Sequence, residues 1–250
     1  MRVFVLYRGM EHINIDWLPS MRHFRFIRNV PYVKNMADCH YWIHAIGDCV
    51  YIVFKETDGT SDDWAYNLDF FPRTFDIFPG SKIKAHNALA RKYLSVRQEI
   101  MDLLYSGKYN FFRVAGFSQG GALATACVQD IGYHIDRDEE LKDKDVRGVV
   151  YSPPRMFTLN KSKLIKKSVD GRLITVRAKW DPVHHVPGTI MPTIFSFRWK
   201  PFELKLRPPT ISFWRHYGKQ IWIGNWWRVL PVLAHKPENI AKNLYRKFKV

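Results

Sequence analysis

Residues 114–128, VAGFSQGGALATACV, pass from a short apolar run through Gly116, Gly120, Gly121 and a single Ser118 into an alanine-rich stretch. The preceding FFRVA reads as a buried strand and the following GALATACV as a helix of small residues. Small side chains directly after a turn let a helix lie close on a sheet. Two readings compete for Ser118: a residue of a glycine-rich strand-to-helix turn in a doubly wound fold, or a nucleophile raised for attack.

The surrounding chain sets the frame. Its 250 residues are 46% hydrophobic and 15% aromatic, ample for a buried core. Apolar, β-branched runs at 41–46, 49–55, 111–116, 147–152 and 171–178 read as strands, and 86–107 and 118–132 carry helical spacing. Strands alternating with helices imply an α/β fold, a mostly parallel sheet covered by helices on both faces. Gly107 and Gly132 are expected at helix C-caps, ISFWRHYGKQIWIG (211–224) as a hairpin turned at Tyr217-Gly218, and a last helix after Pro237. With no low-complexity segment, repeat or linker, residues 36–250 read as one domain preceded by a 1–35 segment that matches no pattern.

Net charge is +16, in short basic groups such as RHFRFIR (22–28), KSKLIKK (161–167) and YRKFK (245–249). These read either as solvated faces or as a peripheral contact with an anionic membrane surface, with nucleic acid the lesser alternative. The three cysteines, Cys39, Cys49 and Cys127, form no disulfide framework. Cys127 is expected in the core, and Cys39 and Cys49 either pair or stay free. No run has signal-peptide or membrane-span character, so a soluble, cytoplasmic protein is expected, with export by another route the alternative.

A serine in G-x-S-x-G, on a sharp turn above the sheet of an α/β-hydrolase, needs a carboxylate past a later strand and then a histidine. Asp181 follows GRLITVRAKW directly. Of the later histidines, His216 falls inside the hairpin pattern and reads as structural, whereas His235 precedes the last helix on a loop and is chosen as the base. A metal site at Asp181, His184 and His185 is disfavoured, because adjacent histidines in an extended segment point to opposite sides. Asp58, Asp62 and Asp63 lack the glycine and glutamate of an EF-hand loop. His134 and Asp136 read as surface polar residues. No metal or cofactor is expected.

The ordered motifs resemble the class 3 lipase family. GFSQGGALA is similar to its GHSLGGALA, VFKETDGTSDDWAYNLDF to its FRGT segment and the N-L-D run, and KAHNALARKYLSVRQEI to its V-H-x-G-F segment. YSPPR resembles its G-S/A-P-R turn, VRAKWDPVHHVP its aspartate loop, RHYGKQIWI its H-x-G hairpin, and the histidine of AHKPENI its last catalytic position. Spacing agrees, at 63 residues from Ser118 to Asp181 and 54 from there to His235. Where the family has Arg-Gly, this chain has Lys55 and Glu56.

The resemblance implies acyl transfer at a Ser118–His235–Asp181 triad, with the N–H of Gln119 and Thr57 as oxyanion donors, on a lipid ester. Segment 58–71, carrying Trp64, matches the family's lid. Together with Phe117 and the Trp226-Trp227 pair, Trp64 is expected to contact substrate. The alternatives are an esterase of the same fold on a feruloyl, acetyl or polyester bond, and a non-enzymatic relative that binds anionic surfaces.

Overall fold

Strands β2 (His40–Ile46), β3 (Cys49–Phe54), β6 (Phe111–Phe117), β7 (Asp145–Tyr151), β9 (Leu173–Ala178) and β12 (Lys219–Ile223), with the two-residue β1 (Val33–Lys34), form a seven-stranded sheet. The computed structural model describes residues 33–37, 39–55, 71–77, 80–179, 181–188, 190–199 and 202–224, together with Asn239, Ile240 and Asn243. Sheet order is β1-β2-β3-β6-β7-β9-β12. The pairs β1/β2 and β2/β3 are antiparallel, and every later pair is parallel. The expected α/β architecture is present.

The strands were legible because their side chains serve both faces. β3 is buried throughout: Val50, Ile52 and Phe54 join the main core, while Cys49, Tyr51 and Val53 pack with Trp42 and Ala115 on the opposite face. Such two-sided burial produces the continuous apolar run of a parallel-sheet strand. Helices α1 (Asn87–Tyr105), α2 (Gln119–Ile135) and α3 (Ser162–Val169) contribute to the main core. In α1, Leu89, Tyr93, Val96, Ile100 and Leu104 form one buried stripe at helical spacing. In α2 every residue except His134 is buried, so apolar and small residues dominate all its faces, with Gln119, Thr125, Gln129 and Asp130 buried among them.

A second, antiparallel sheet has the order β10 (Ile190–Trp199), β11 (Phe202–Arg215), β8 (Phe157–Thr158), β5 (Lys84–His86), β4 (Pro72–Thr74). Here the sequence reading needs correction. Residues 211–224 are not a hairpin: β11 pairs with β8 and β10, whereas β12 lies parallel to β9 in the main sheet. A two-residue type I′ turn needs positive φ at both central positions; only Gly218 has it, at 80°. The chain therefore crosses between sheets.

Gly107 has φ 71° just past the end of α1, as a C-terminal glycine should. Gly132 does not end α2, which continues to Ile135. A Cβ at Gly132 would lie 2.2 Å from the Ser168 carbonyl oxygen, so this glycine lets α3 approach. His134 and Asp136 are also more than surface polar groups. Arg97 donates to buried Asp130 at 2.7 Å and also meets His134 Nε2 at 3.1 Å, while Arg172 donates to Asp136 at 2.7 Å. Tyr93 completes the Asp130 site with a 2.8 Å hydrogen bond, and burial pushes its phenol well above the usual range. All three cysteines are buried, none of them in a disulfide, and Cys127 is in the core.

Candidate active site

The turn at Ser118 is forced by close approaches at three glycines, the first two to backbone. A Cβ at Gly116 would stand 2.2 Å from the Gly120 carbonyl oxygen, and one at Gly120 would stand 2.2 Å from that of Phe54. A Cβ at Gly121 would meet Pro153 Cβ at 3.1 Å. Only glycine fits at the first two positions, and the strand-to-helix reversal that results holds Ser118 at φ 53°, ψ −126°. This is a rare conformation for a residue with a side chain, and such strain is concentrated at functional sites.

The Ser118 N–H is engaged, donating to the Tyr151 carbonyl at 2.9 Å and so fixing the turn to the end of β7. The amide of Gln119, the first residue of α2, stands at the positive end of a 17-residue helix. Gln119 is itself buried, and its side-chain oxygen accepts a 3.2 Å hydrogen bond from Lys92 of α1, a lysine only 3% exposed. Thus a buried ammonium from a neighbouring helix orients the residue after the serine. Phe117 is buried at the end of β6, paired with Tyr151 in the sheet.

Asp181 lies three residues past the end of β9 and is fully buried. Its Oδ1 accepts the Val183 N–H at 2.8 Å, closing a local turn into the 3₁₀ segment Val183–His185. Three further groups hold this loop. The Arg155 guanidinium donates to the carbonyls of both His185 and Pro187, and the Arg155 N–H donates to the Val186 carbonyl at 2.8 Å. From the β11–β12 crossing, His216 Nε2 stands 2.7 Å from the His184 carbonyl. A carbonyl only accepts, so that nitrogen carries the proton.

The surroundings of the loop are basic, with Arg155 and Arg177 nearby. His184 is fully buried, with neither ring nitrogen hydrogen-bonded among the described residues, 4.0 Å from the His185 ring and 5.4 Å from the Trp222 ring by centroids. Burial, then Arg177 and His185, lower its pKa to about 2. His216 is lowered to about 3, by burial first and Arg177 next. Arg177 lies over the Trp222 ring at 4.1 Å, and burial together with Arg155 lowers it to about 10, although Asp181 acts in the opposite direction. Asp181 therefore shares this loop with the Arg155 and Arg177 guanidinium groups.

Of the residues singled out from the sequence, the structure places Ser118 and Gln119 together at the head of α2 and Asp181 past the end of β9, two strands over in the same sheet. His235, Thr57, Trp64, Trp226 and Trp227, with segment 56–70, lie outside the described residues. Sequence reasoning missed Lys92 and the clamping roles of Arg155 and His216. Arg155 and His216 sit in motifs that had been noticed, but their partners are backbone carbonyls, which no side-chain pattern announces. Among the described residues no group of three or more His, Cys, Asp or Glu is placed to hold a metal ion, and no helix is long and apolar enough to cross a membrane.

The fold has counterparts among known proteins. The family described as Lipase (class 3) matches residues 51–191, more than half of the chain. Among solved structures, the Rhizomucor miehei lipase propeptide complex is similar at TM-score 0.50 and 19% identity, covering 73% of this chain and 60% of that one. A refined Rhizomucor miehei triacylglyceride lipase gives TM-score 0.51 and 18% identity, covering 75% and 72%. Lipase II from Rhizopus niveus gives TM-score 0.50 and 19%, covering 65% and 63%. At these identities the likeness is one of fold, and the chain spans only about three fifths of the first of these relatives. No match was found among curated protein sequences.

Proposed function

Since the chain belongs to the class 3 lipase family, we propose that it is a serine hydrolase that cleaves the carboxylic ester bonds of lipids, acylglycerols or phospholipids, through an acyl-enzyme. The observation that carries this reading is the strained Ser118, held at φ 53° between two glycines whose Cβ positions are already occupied by backbone.

In the proposed reaction Ser118 Oγ attacks the ester carbonyl carbon while His235 takes its proton. The oxygen of the tetrahedral adduct becomes anionic and is met by the Gln119 amide and Thr57. Collapse breaks the bond to the alcohol, which leaves with the proton from His235; water then repeats the sequence on the acyl-enzyme and releases the acid. Asp181 orients the imidazole and stabilises its protonated form. An oxyanion donor of this kind contributes ~3 kcal/mol to the transition state, and the helix dipole at Gln119 acts in the same sense. The Lys92 bond that orients Gln119 supports its assignment.

The test is labelling of the full chain with a fluorophosphonate probe, followed by hydrolysis of short and long p-nitrophenyl esters. Labelling that disappears in Ser118→Ala and His235→Ala, with preference for long acyl chains, is expected. Absence of labelling refutes the serine mechanism, and turnover restricted to short or aromatic acyl groups refutes the lipid assignment.

A further inference from the structure

The second sheet carries an apolar face beyond the point where the core ends. Phe157 of β8 is fully buried in the main core. One pleat further on the same face lies Leu159, whose N–H donates to the Phe213 carbonyl at 2.8 Å. Along β11 the pattern alternates, with Ser212 and Trp214 buried and Ile211, Phe213 and Arg215 exposed. Ile211 is 66%, Phe213 47% and Leu159 40% exposed, three large apolar side chains side by side in water.

Helix α3 begins directly beside them, tied by the Ser162 N–H to the Leu159 carbonyl at 3.1 Å. Its inner side sends Ile165 and Val169 into the core. Its outer side consists of Lys163, Lys166 and Lys167, all exposed and spaced three and four apart, with exposed Lys161 preceding them. The only acidic residue between 157 and 170 is Asp170, past the helix end. An eight-residue helix is about 12 Å long, so these charges lie within roughly one or two Debye lengths of the apolar cluster.

We propose that this surface, Leu159, Ile211 and Phe213 flanked by the lysines of α3, is a docking face for an anionic phospholipid bilayer. Aliphatic and phenyl groups enter the acyl-headgroup boundary while the lysine stripe meets lipid phosphates and carboxylates. The charge selects this occupant. A second copy related by a two-fold axis would bring like-charged lysine stripes together, and a soluble polyanion would leave Ile211 and Leu159 in water. The proposal places a membrane contact on residues outside the catalytic machinery and holds whether or not the ester reading does.

The experiment is co-sedimentation of the full-length Ser118→Ala protein with phosphatidylcholine vesicles, with or without about 30% phosphatidylserine, at about 0.1 M and about 0.5 M salt. Partitioning should be at least tenfold stronger on the anionic vesicles and fall with salt. K163Q/K166Q/K167Q should weaken it by about a hundredfold, roughly fivefold per charge. I211S/F213S should weaken it by roughly tenfold or more. All substituted side chains are exposed, so circular dichroism melts should match the parent. Equal binding to neutral vesicles, or unchanged binding in either variant, overturns the proposal. So does a dimer that I211S/F213S dissociates, or lysine-dependent binding of single-stranded DNA or heparin without vesicle binding.

Discussion

Acid should unfold this protein through His184 and His216. Their pKa values are lowered from 6.5 to about 2 and about 3, so both are neutral in the folded state at any working pH. In the unfolded chain they take up protons below 6.5. A base whose folded pKa is depressed contributes full stability above its unfolded pKa and loses it as pH falls towards the folded value. At about pH 5 each histidine forfeits about 2 kcal/mol, being 1.5 pH units below 6.5 at 1.36 kcal/mol per unit. The two together cost about 4 kcal/mol, a large share of the roughly 5–15 kcal/mol that holds a domain folded. Neighbouring charges contribute to these shifts after burial: Arg177, Arg155 and His185 lower both values, and Asp181, held in its own turn at Val183, lies in the same loop. Urea unfolding of the full chain at about pH 7.5 and about pH 5, followed by circular dichroism, measures the loss. In His216→Gln, whose amide can donate to the same carbonyl but does not titrate, the pH-dependent loss should shrink by about half. Stability that is the same at both pH values to within about 1 kcal/mol would refute the reasoning, since it would mean that these rings are hydrated and ionise in the folded state.

Two other substitutions test the framework. Gly120→Ala places a methyl 2.2 Å from the Phe54 carbonyl oxygen and should separate α2 from β3; loss of soluble protein, or at least about 3 kcal/mol in urea unfolding, is expected. Asp130→Ala leaves the Arg97 guanidinium and the Tyr93 hydroxyl without their buried carboxylate and should destabilise the fold by about 3–5 kcal/mol in the same assay.

The serine turn was legible because sterics write it into residue type. Gly116 and Gly120 are required by backbone contacts under 2.5 Å from any Cβ, and small residues after Ser118 follow from the burial of α2 on the sheet. Strands β3, β6, β7 and β9 were legible for a similar reason, since burial on both faces favours mostly apolar runs, although β6, β7 and β9 each carry an arginine. Partner choice was not legible. The pattern around Tyr217-Gly218 satisfies a local hairpin rule, yet Ile221 and Ile223 gain more by burial beside β9 than by folding back on β11. Gly132 shows a similar ambiguity, since one residue type serves either a left-handed cap or a close approach. Lys92 was unreadable because a lysine at helical spacing is ordinarily solvent-facing, and only the tertiary fold buries it against Gln119.

The crossing between the sheets has a mechanical meaning. Arg215 ends β11 and Lys219 begins β12, leaving three residues to join the sheets, and the first of them, His216, grips the His184 carbonyl. The long β10–β11 ribbon is thus a lever whose fulcrum is that hydrogen bond. Whatever seats itself on Ile211 and Phe213 is coupled in series with the segment that begins at Asp181, so a load on the outer surface of the ribbon is felt three residues from the buried carboxylate.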